Sequence, residues 1–229
     1  MKNTNNLQYY ILPGNASGQT HLLEKYNQVY EFWKNIWTDT LQKMNLPTLE
    51  IAHFLRHNYV CAIFDKDQVV ACHLYTHYDI RVAALKESEY FSQFATELID
   101  HCRSRDINTI MTQEYMSAAP EYRKTVSQIS IPEVIVGLGM HVMHSIGADS
   151  TGGTVRAGAP SVERVCKEIN CELLDKPIMR YNIPHKFFIG SSKKVKLAGS
   201  TETINLIKNL WENRINYTID KKSNDKIAA

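Results

Sequence analysis

Two runs, NYVCAIF (58–64) and QVVACHLYT (68–76), separated only by Asp65-Lys66-Asp67, constrain the fold of this chain most strongly. Both are rich in β-branched, aromatic and other apolar residues, a composition suited to a pleated, half-buried surface. A polar connection this short leaves no room for a crossover, so the second run must return antiparallel beside the first. The chain therefore builds on an antiparallel hairpin.

Helical and extended patterns alternate around that hairpin. LQYYIL (7–12) reads as a short strand stopped by Pro13-Gly14. From Thr20 to Met44, the residues Leu22, Leu23, Tyr26, Val29, Tyr30, Trp33, Ile36, Trp37 and Leu41 recur at intervals of three and four. That spacing predicts a long amphipathic helix with an aromatic stripe. A short helix is expected over 48–55, after Pro47, and a longer one over 86–103. Residues 108–116 read as a strand and 132–146 as a helix, with Pro132 in its first turn and Ser130 and Glu133 at capping-box spacing. A strand over 148–156, broken by Gly152-Gly153, precedes a helix over 161–170 and an extended region over 171–183. The basic loop SSKKVK (191–196) leads to a last helix over 202–216. A hairpin feeding alternating strands and helices predicts an α/β domain with a mixed sheet.

Composition narrows the partners. A chain of 229 residues, 44% hydrophobic, is long enough to bury a sizeable core. A formal net charge of +2 supplies no field of one sign, so nucleic acid is not an expected partner. The five cysteines are odd in number and contain no Cys-x-x-Cys pair, which argues against a disulfide framework or a zinc site. His141 and His144 share a helix face without an accompanying carboxylate, and His73 and His77 sit in a β-rich run, so no metal is expected. The opening MKNTNNLQYY has no apolar core of signal-peptide type, and no apolar run nears the roughly 18 residues of a membrane span. The expectation is a cytoplasmic protein without an integral membrane segment.

The order of elements, taken with three particular stretches, resembles the GNAT acyltransferase superfamily. The first stretch is the long helix followed by the 58–76 hairpin. The second is the strand 108–116 leading into Pro120-Glu121-Tyr122-Arg123-Lys124 and a helix. The third is Gly147-Ala148-Asp149, a strand, and the helix 161–170 ending in Asn170-Cys171-Glu172-Leu173-Leu174. The resemblance spans residues 5–190 by topology, with few specific matches. It implies a GNAT-like mixed, mostly antiparallel central sheet flanked by helices over 1–190. Residues 191–229, the basic loop and C-terminal helix, would pack on or extend the same domain.

One departure from the family pattern carries information. In members that use acetyl-CoA, glycines follow the Pro-x-Tyr-Arg turn and let backbone amides approach the pyrophosphate. Here the corresponding positions hold Val126 and Gln128 in one register, or Ile131 and Glu133 in another, and Gly137 and Gly139 come too late. A phosphopantetheine arm carries a single phosphodiester and demands less of this loop. Within the superfamily the chain therefore looks more like the N-acyl amino acid synthases and acyl-homoserine lactone synthases, and Glu163-Arg164-Val165 with Cys171-Glu172 is similar to their pattern.

That resemblance implies an N-acyltransferase moving an acyl group, long-chain by preference, from a thioester donor (acyl-carrier-protein phosphopantetheine or acyl-CoA) to an amine of an amino acid or peptide. Aminolysis of a thioester needs a base for the ammonium proton and donors for the oxyanion. Glu114 falls where the family places its base. Tyr122 or Tyr115, or Tyr181, would protonate the leaving thiolate. The backbone near Met116 to Ala118 would hold the oxyanion, and Arg123, Lys124 and Arg156 would contact a phosphate or carboxylate. Lys186, Lys193, Lys194 and Lys196 would dock an acidic acyl carrier protein. The alternatives are an acetyl-CoA-dependent N-acetyltransferase with an atypical phosphate loop, and a catalytically silent GNAT-like binding module.

Overall fold

The computed structural model describes residues 6–16, 19–88, 90–93, 95–123, 128–157, 159–174, 177–180 and 183–218. It is a mixed α/β fold whose central sheet is mostly antiparallel and flanked by helices. The described residues cluster into two compact units. One draws on residues within 1–75, 115–135 and 201–229, the other on residues within 76–114 and 136–200. Among the described residues no helix is long and apolar enough to cross a membrane.

In the first unit, β1 (Leu7–Pro13) pairs antiparallel with β2 (Tyr59–Asp65), and β2 pairs antiparallel with β3 (Gln68–Asp79) through Tyr75. This is the hairpin expected from 58–76. Lys66 in its turn takes a left-handed conformation, φ 56°, and the register shifts between Ile63 and Phe64. The long helix α1 (Leu23–Lys43) turns Tyr26, Val29, Trp33 and Leu41 inward, so the period of three and four reads out as a buried stripe. Tyr26, Val29 and Trp33 join Leu12, Phe54, Val60, Ala62, Phe64 and Leu74 in one core. The short helix α2 (Ala52–Leu55) contributes His53 and Phe54 to the interior.

The second unit contains the end of β3, then β4 (Thr109–Ala118) as far as Glu114, β5 (Ser150–Arg156), β6 (Glu172–Leu173), β7 (Ile178–Arg180) and β8 (Ile183–Ser191). Its core includes Ile80, Phe91, Leu98, Ile99, Ile110, Phe187 and Ile189. β5 pairs antiparallel with β8 along its whole length, from Ser150↔Ser191 to Arg156↔His185. The Gly152-Gly153 pair, expected to interrupt a strand, instead makes room within it. A Cβ on Gly152 would lie 2.8 Å from the Phe187 ring, and one on Gly153 2.9 Å from the Phe188 ring.

Four segments differ from the sequence expectation, the first being the short helix expected over 48–55, which is realised only as α2. The helix expected over 86–103 is realised only in its second half, as α3 (Ala95–Arg103). Before it lie 3-10 turns at Ala83–Glu87 and Phe91–Gln93, parted where Ser88 is extended and its hydroxyl oxygen accepts from the Phe91 amide. The side-chain oxygen competes with the helical ladder there. The extended region over 171–183 resolves into β6 and β7, and the main strand of that region is β8, which continues to Ser191. Pro184 near its start and the polar His185-Lys186 hide its period. The helices α4 (Ile131–Ser145) and α5 (Pro160–Glu168) fall where expected. The last helix, α6 (Thr201–Glu212), stops short of 216, and Ile215–Asn216 instead forms β9, parallel to β1.

Candidate active site

The parallel ladder between β4 and β5 is short. It runs Ile110↔Ser150, Met111↔Thr151 and Thr112↔Gly152, although both strands continue beyond these residues. Gly153 lies so close to the Gln113 carbonyl that an added Cβ would approach it to 2.7 Å. At this point β4 carries two buried polar side chains in succession. Gln113 donates to the Thr151 hydroxyl at 2.8 Å. Glu114, 7% exposed, accepts from the Thr112 hydroxyl at 2.9 Å. Thr112 and Glu114 are two residues apart on one strand and so share a face. A carboxylate retained in such a buried position must be held by donors. It is also the one carboxylate that β4 carries.

The next residue, still within β4, departs from extended backbone. Tyr115 has φ 53°, a left-handed conformation that costs a non-glycine residue about 1–2 kcal/mol. The sequence carries no glycine or asparagine to announce it. In the first unit, tertiary contacts hold it. The Tyr115 ring meets Trp33 and Trp37 edge-on at centroid distances of 5.5 and 5.0 Å. Its hydroxyl lies 2.5 Å from His53 Nδ1. Ser117 donates to the Tyr115 carbonyl at 2.8 Å and accepts from the Trp37 indole at 2.9 Å. The aromatic stripe of α1 thus serves the core through Trp33 and grips Tyr115 through both Trp33 and Trp37.

Beyond Tyr115, the Met116 to Ala118 segment is tied at its end. Ala119 N–H donates to the Val70 carbonyl at 2.9 Å, and Arg123 Nε donates to the Ala118 carbonyl at 2.9 Å. Arg123 therefore braces the turn Pro120–Tyr122 through its Nε. Tyr122 donates to Asp65 Oδ2 at 2.9 Å. Burial and the facing carboxylate push the Tyr122 phenol up to about 12. Arg156, in the second unit, is exposed at the end of β5. Lys124 and Tyr181 lie outside the described residues.

Within the first unit the structure thus gathers Tyr115, Met116, Ala118, Tyr122 and Arg123 on one continuous segment. Glu114 and Arg156 belong to the second unit, on β4 and β5. Sequence reasoning did not single out His53 or Glu50. Glu50 Oε2 lies 3.5 Å from His53 Nε2, and only their i, i+3 spacing hints at the contact.

Several histidines and cysteines serve the interior. His73 is fully buried, with Tyr9 Oη 3.0 Å from its Nε2 and the Tyr75 hydroxyl on its Nδ1; burial pushes the imidazole down to about 3. Burial holds the Cys61 and Cys72 thiols up at about 12, which suits inert core thiols. Among the described residues, no group of three or more His, Cys, Asp or Glu side chains is placed to hold a metal ion.

Neither protein-family models nor curated protein sequences give a match to this chain. Solved structures do match its fold. A CoA-dependent acyl-homoserine lactone synthase, BjaI, with SAM and isopentyl-CoA, superposes with a TM-score of 0.56 at 10% identity, over 92% of this chain and 93% of that one. FeeM, an N-acyl amino acid synthase from uncultured soil microbes, gives 0.53 at 9% identity, over 82% and 92%. The polyamine N-acetyltransferase of Drosophila melanogaster gives 0.57 at 8% identity, over 81% and 99%. The shared feature is the GNAT acyltransferase fold.

Proposed function

We propose that this chain, built on the GNAT fold, is an N-acyltransferase that joins an acyl group from a thioester to an amine by direct attack. The observation that carries the reading is Glu114, a buried carboxylate immediately before a left-handed residue in β4, where the β4–β5 ladder has already ended. In the proposed reaction the neutral amine attacks the thioester carbonyl, the C–N bond forms and the C–S bond breaks. Glu114 takes the ammonium proton, directly or through one water. Backbone amides in the Met116 to Ala118 segment hold the oxyanion. Arg123, Lys124 and Arg156 are proposed contacts for the donor phosphate or for an acceptor carboxylate.

The preferred donor is a long acyl chain on a carrier-protein phosphopantetheine or on CoA, since Val126 and Gln128 in one register, or Ile131 and Glu133 in the other, stand where a pyrophosphate loop needs glycine. The acceptor is an amino acid or peptide amine. Acyl carrier protein would dock on Lys186, Lys193, Lys194 and Lys196. The proposed place of action is the cytoplasm.

The test is release of free thiol from a panel of acyl-CoA and acyl-carrier thioesters, each supplied with amino acid, peptide and polyamine amines. Turnover with at least one pair is expected. Replacing the base, as Glu114→Gln, should lower kcat by about a hundredfold, the lower range for general base catalysis. Silence with every donor and acceptor would reject the enzyme, and a Glu114→Gln rate equal to wild type would remove Glu114 from the base role.

A further inference from the structure

Tyr122 and Tyr115 are both phenols close to the end of β4, and their partners differ in kind. Tyr122 gives its proton toward a carboxylate, Asp65. Losing that proton would leave a phenolate facing another anion. The Tyr115 hydroxyl faces an imidazole, His53 Nδ1, at 2.5 Å. The second ring nitrogen, Nε2, lies 3.5 Å from Glu50 Oε2, and the Glu50 side chain is 72% exposed. Phenol, imidazole, carboxylate and solvent thus follow one another in line, and an imidazole can take a proton on one nitrogen while releasing one from the other.

The line is held rigidly at its inner end. Trp33 and Trp37 pack edge-on against the Tyr115 ring, and the left-handed backbone at Tyr115 aims it. His53 itself is 7% exposed. His57 is a further titratable group nearby, its ring 6.0 Å from that of Tyr115. Burial, the nearby Arg56 and His53 keep His57 well below its usual range, so it stays neutral and leaves proton traffic to His53.

We propose that Tyr115, His53 and Glu50 form a proton relay in which Tyr115 protonates the departing thiolate and is reprotonated through His53. This rests on the acyl-transfer reading above. As the C–S bond breaks, sulfur takes the phenol proton. The phenolate then takes the Nδ1 proton of His53 in its imidazolium form, which leaves a neutral imidazole with Nε2–H held toward the Glu50 carboxylate, and solvent returns the missing proton to His53. Tyr115 is the proton donor, whereas His53 and Glu50 are positioning and relay residues.

The experiment measures thiol release across pH for wild type, Tyr115→Phe, His53→Gln and Glu50→Gln, with tryptophan fluorescence reporting folding. Tyr115→Phe should lose about tenfold or more in kcat with little change in KM. His53→Gln and Glu50→Gln should displace the alkaline limb of the pH–rate profile, which a purely structural contact would leave in place. Active wild type with an unaltered rate and profile in Tyr115→Phe overturns the relay alone. A wild type silent toward every thioester overturns the acyl-transfer reading, and the thiolate-protonating role falls with it. If Tyr115→Phe does not fold, Glu50→Gln decides, because Glu50 is exposed, and a profile superimposable on wild type rejects the relay.

Discussion

Gly14→Ala is a sharp test of the packing that holds His53 and His57 in place. Gly14 follows β1 and lies against the chain entering β2. An added Cβ would fall 1.6 Å from the His57 carbonyl oxygen, 2.6 Å from its carbon and 2.9 Å from the Asn58 carbonyl carbon. All three are backbone atoms, so no rotamer change relieves the clash. Ordinary contact needs about 3.5–4 Å, so one backbone must move by roughly 2 Å. That displacement breaks the bond from Gly14 N–H to the Asn58 carbonyl at 2.8 Å and strains the one from Tyr26 Oη to the Gly14 carbonyl at 2.6 Å. Two hydrogen bonds at about 1 kcal/mol each, with about 1–3 kcal/mol for overpacking, give a loss of about 3–5 kcal/mol.

The three tryptophans, Trp33, Trp37 and Trp211, belong to the first unit, so their fluorescence during urea unfolding reports the unit that contains Gly14. The control is Gly147→Ala. Gly147 has φ 68° and nothing within 4 Å of an added Cβ, so only backbone strain of about 1–2 kcal/mol applies. Its unfolding would be followed by far-UV circular dichroism. A Gly14→Ala midpoint equal to wild type, or a larger cost at Gly147 than at Gly14, would refute the reasoning.

Two pH-dependent predictions accompany it. Tyr122 is raised to about 12 in the folded chain, above its ordinary value near 10. The unfolded chain loses that proton first, so the contribution of Tyr122 is complete below pH 10 and fades between 10 and 12; Tyr122→Phe should flatten that part of a stability–pH curve. His73, held down to about 3, has the opposite sign. Above its ordinary value of about 6.5 its contribution is complete, and it is lost as pH falls toward 3 because only the unfolded chain takes up the proton. Urea midpoints should decline over that window in wild type, and less steeply in His73→Gln; parallel declines would reject the assignment.

What could be read from the residues alone depended on the range of the forces involved. The hairpin at 58–76, α1 and α4 are set by local period and turn chemistry, and they appear where those signals put them. β8 was illegible because its start carries Pro184 and polar residues, and its pairing partner β5 is far away in sequence. β9 is two residues long, too short to carry a period. The helix expected over 86–103 failed where one serine hydroxyl competes for a backbone amide. Glu114 was singled out by resemblance of element order, which locates a strand end but says nothing of its surroundings.

By itself, then, the sequence determined an α/β chain with an antiparallel hairpin, a long aromatic helix and a carboxylate near the end of a strand, because alternation, helical period and turn composition act between near neighbours. Only the tertiary structure decided that β4 turns left-handed at Tyr115 and then continues to Ala118. A left-handed tyrosine is unfavourable by its own backbone and persists because Trp33, Trp37 and His53, brought from sixty or more positions away, grip its ring and hydroxyl. The same long-range packing set the Tyr115 phenol on the His53 imidazole, a contact that no local spacing encodes.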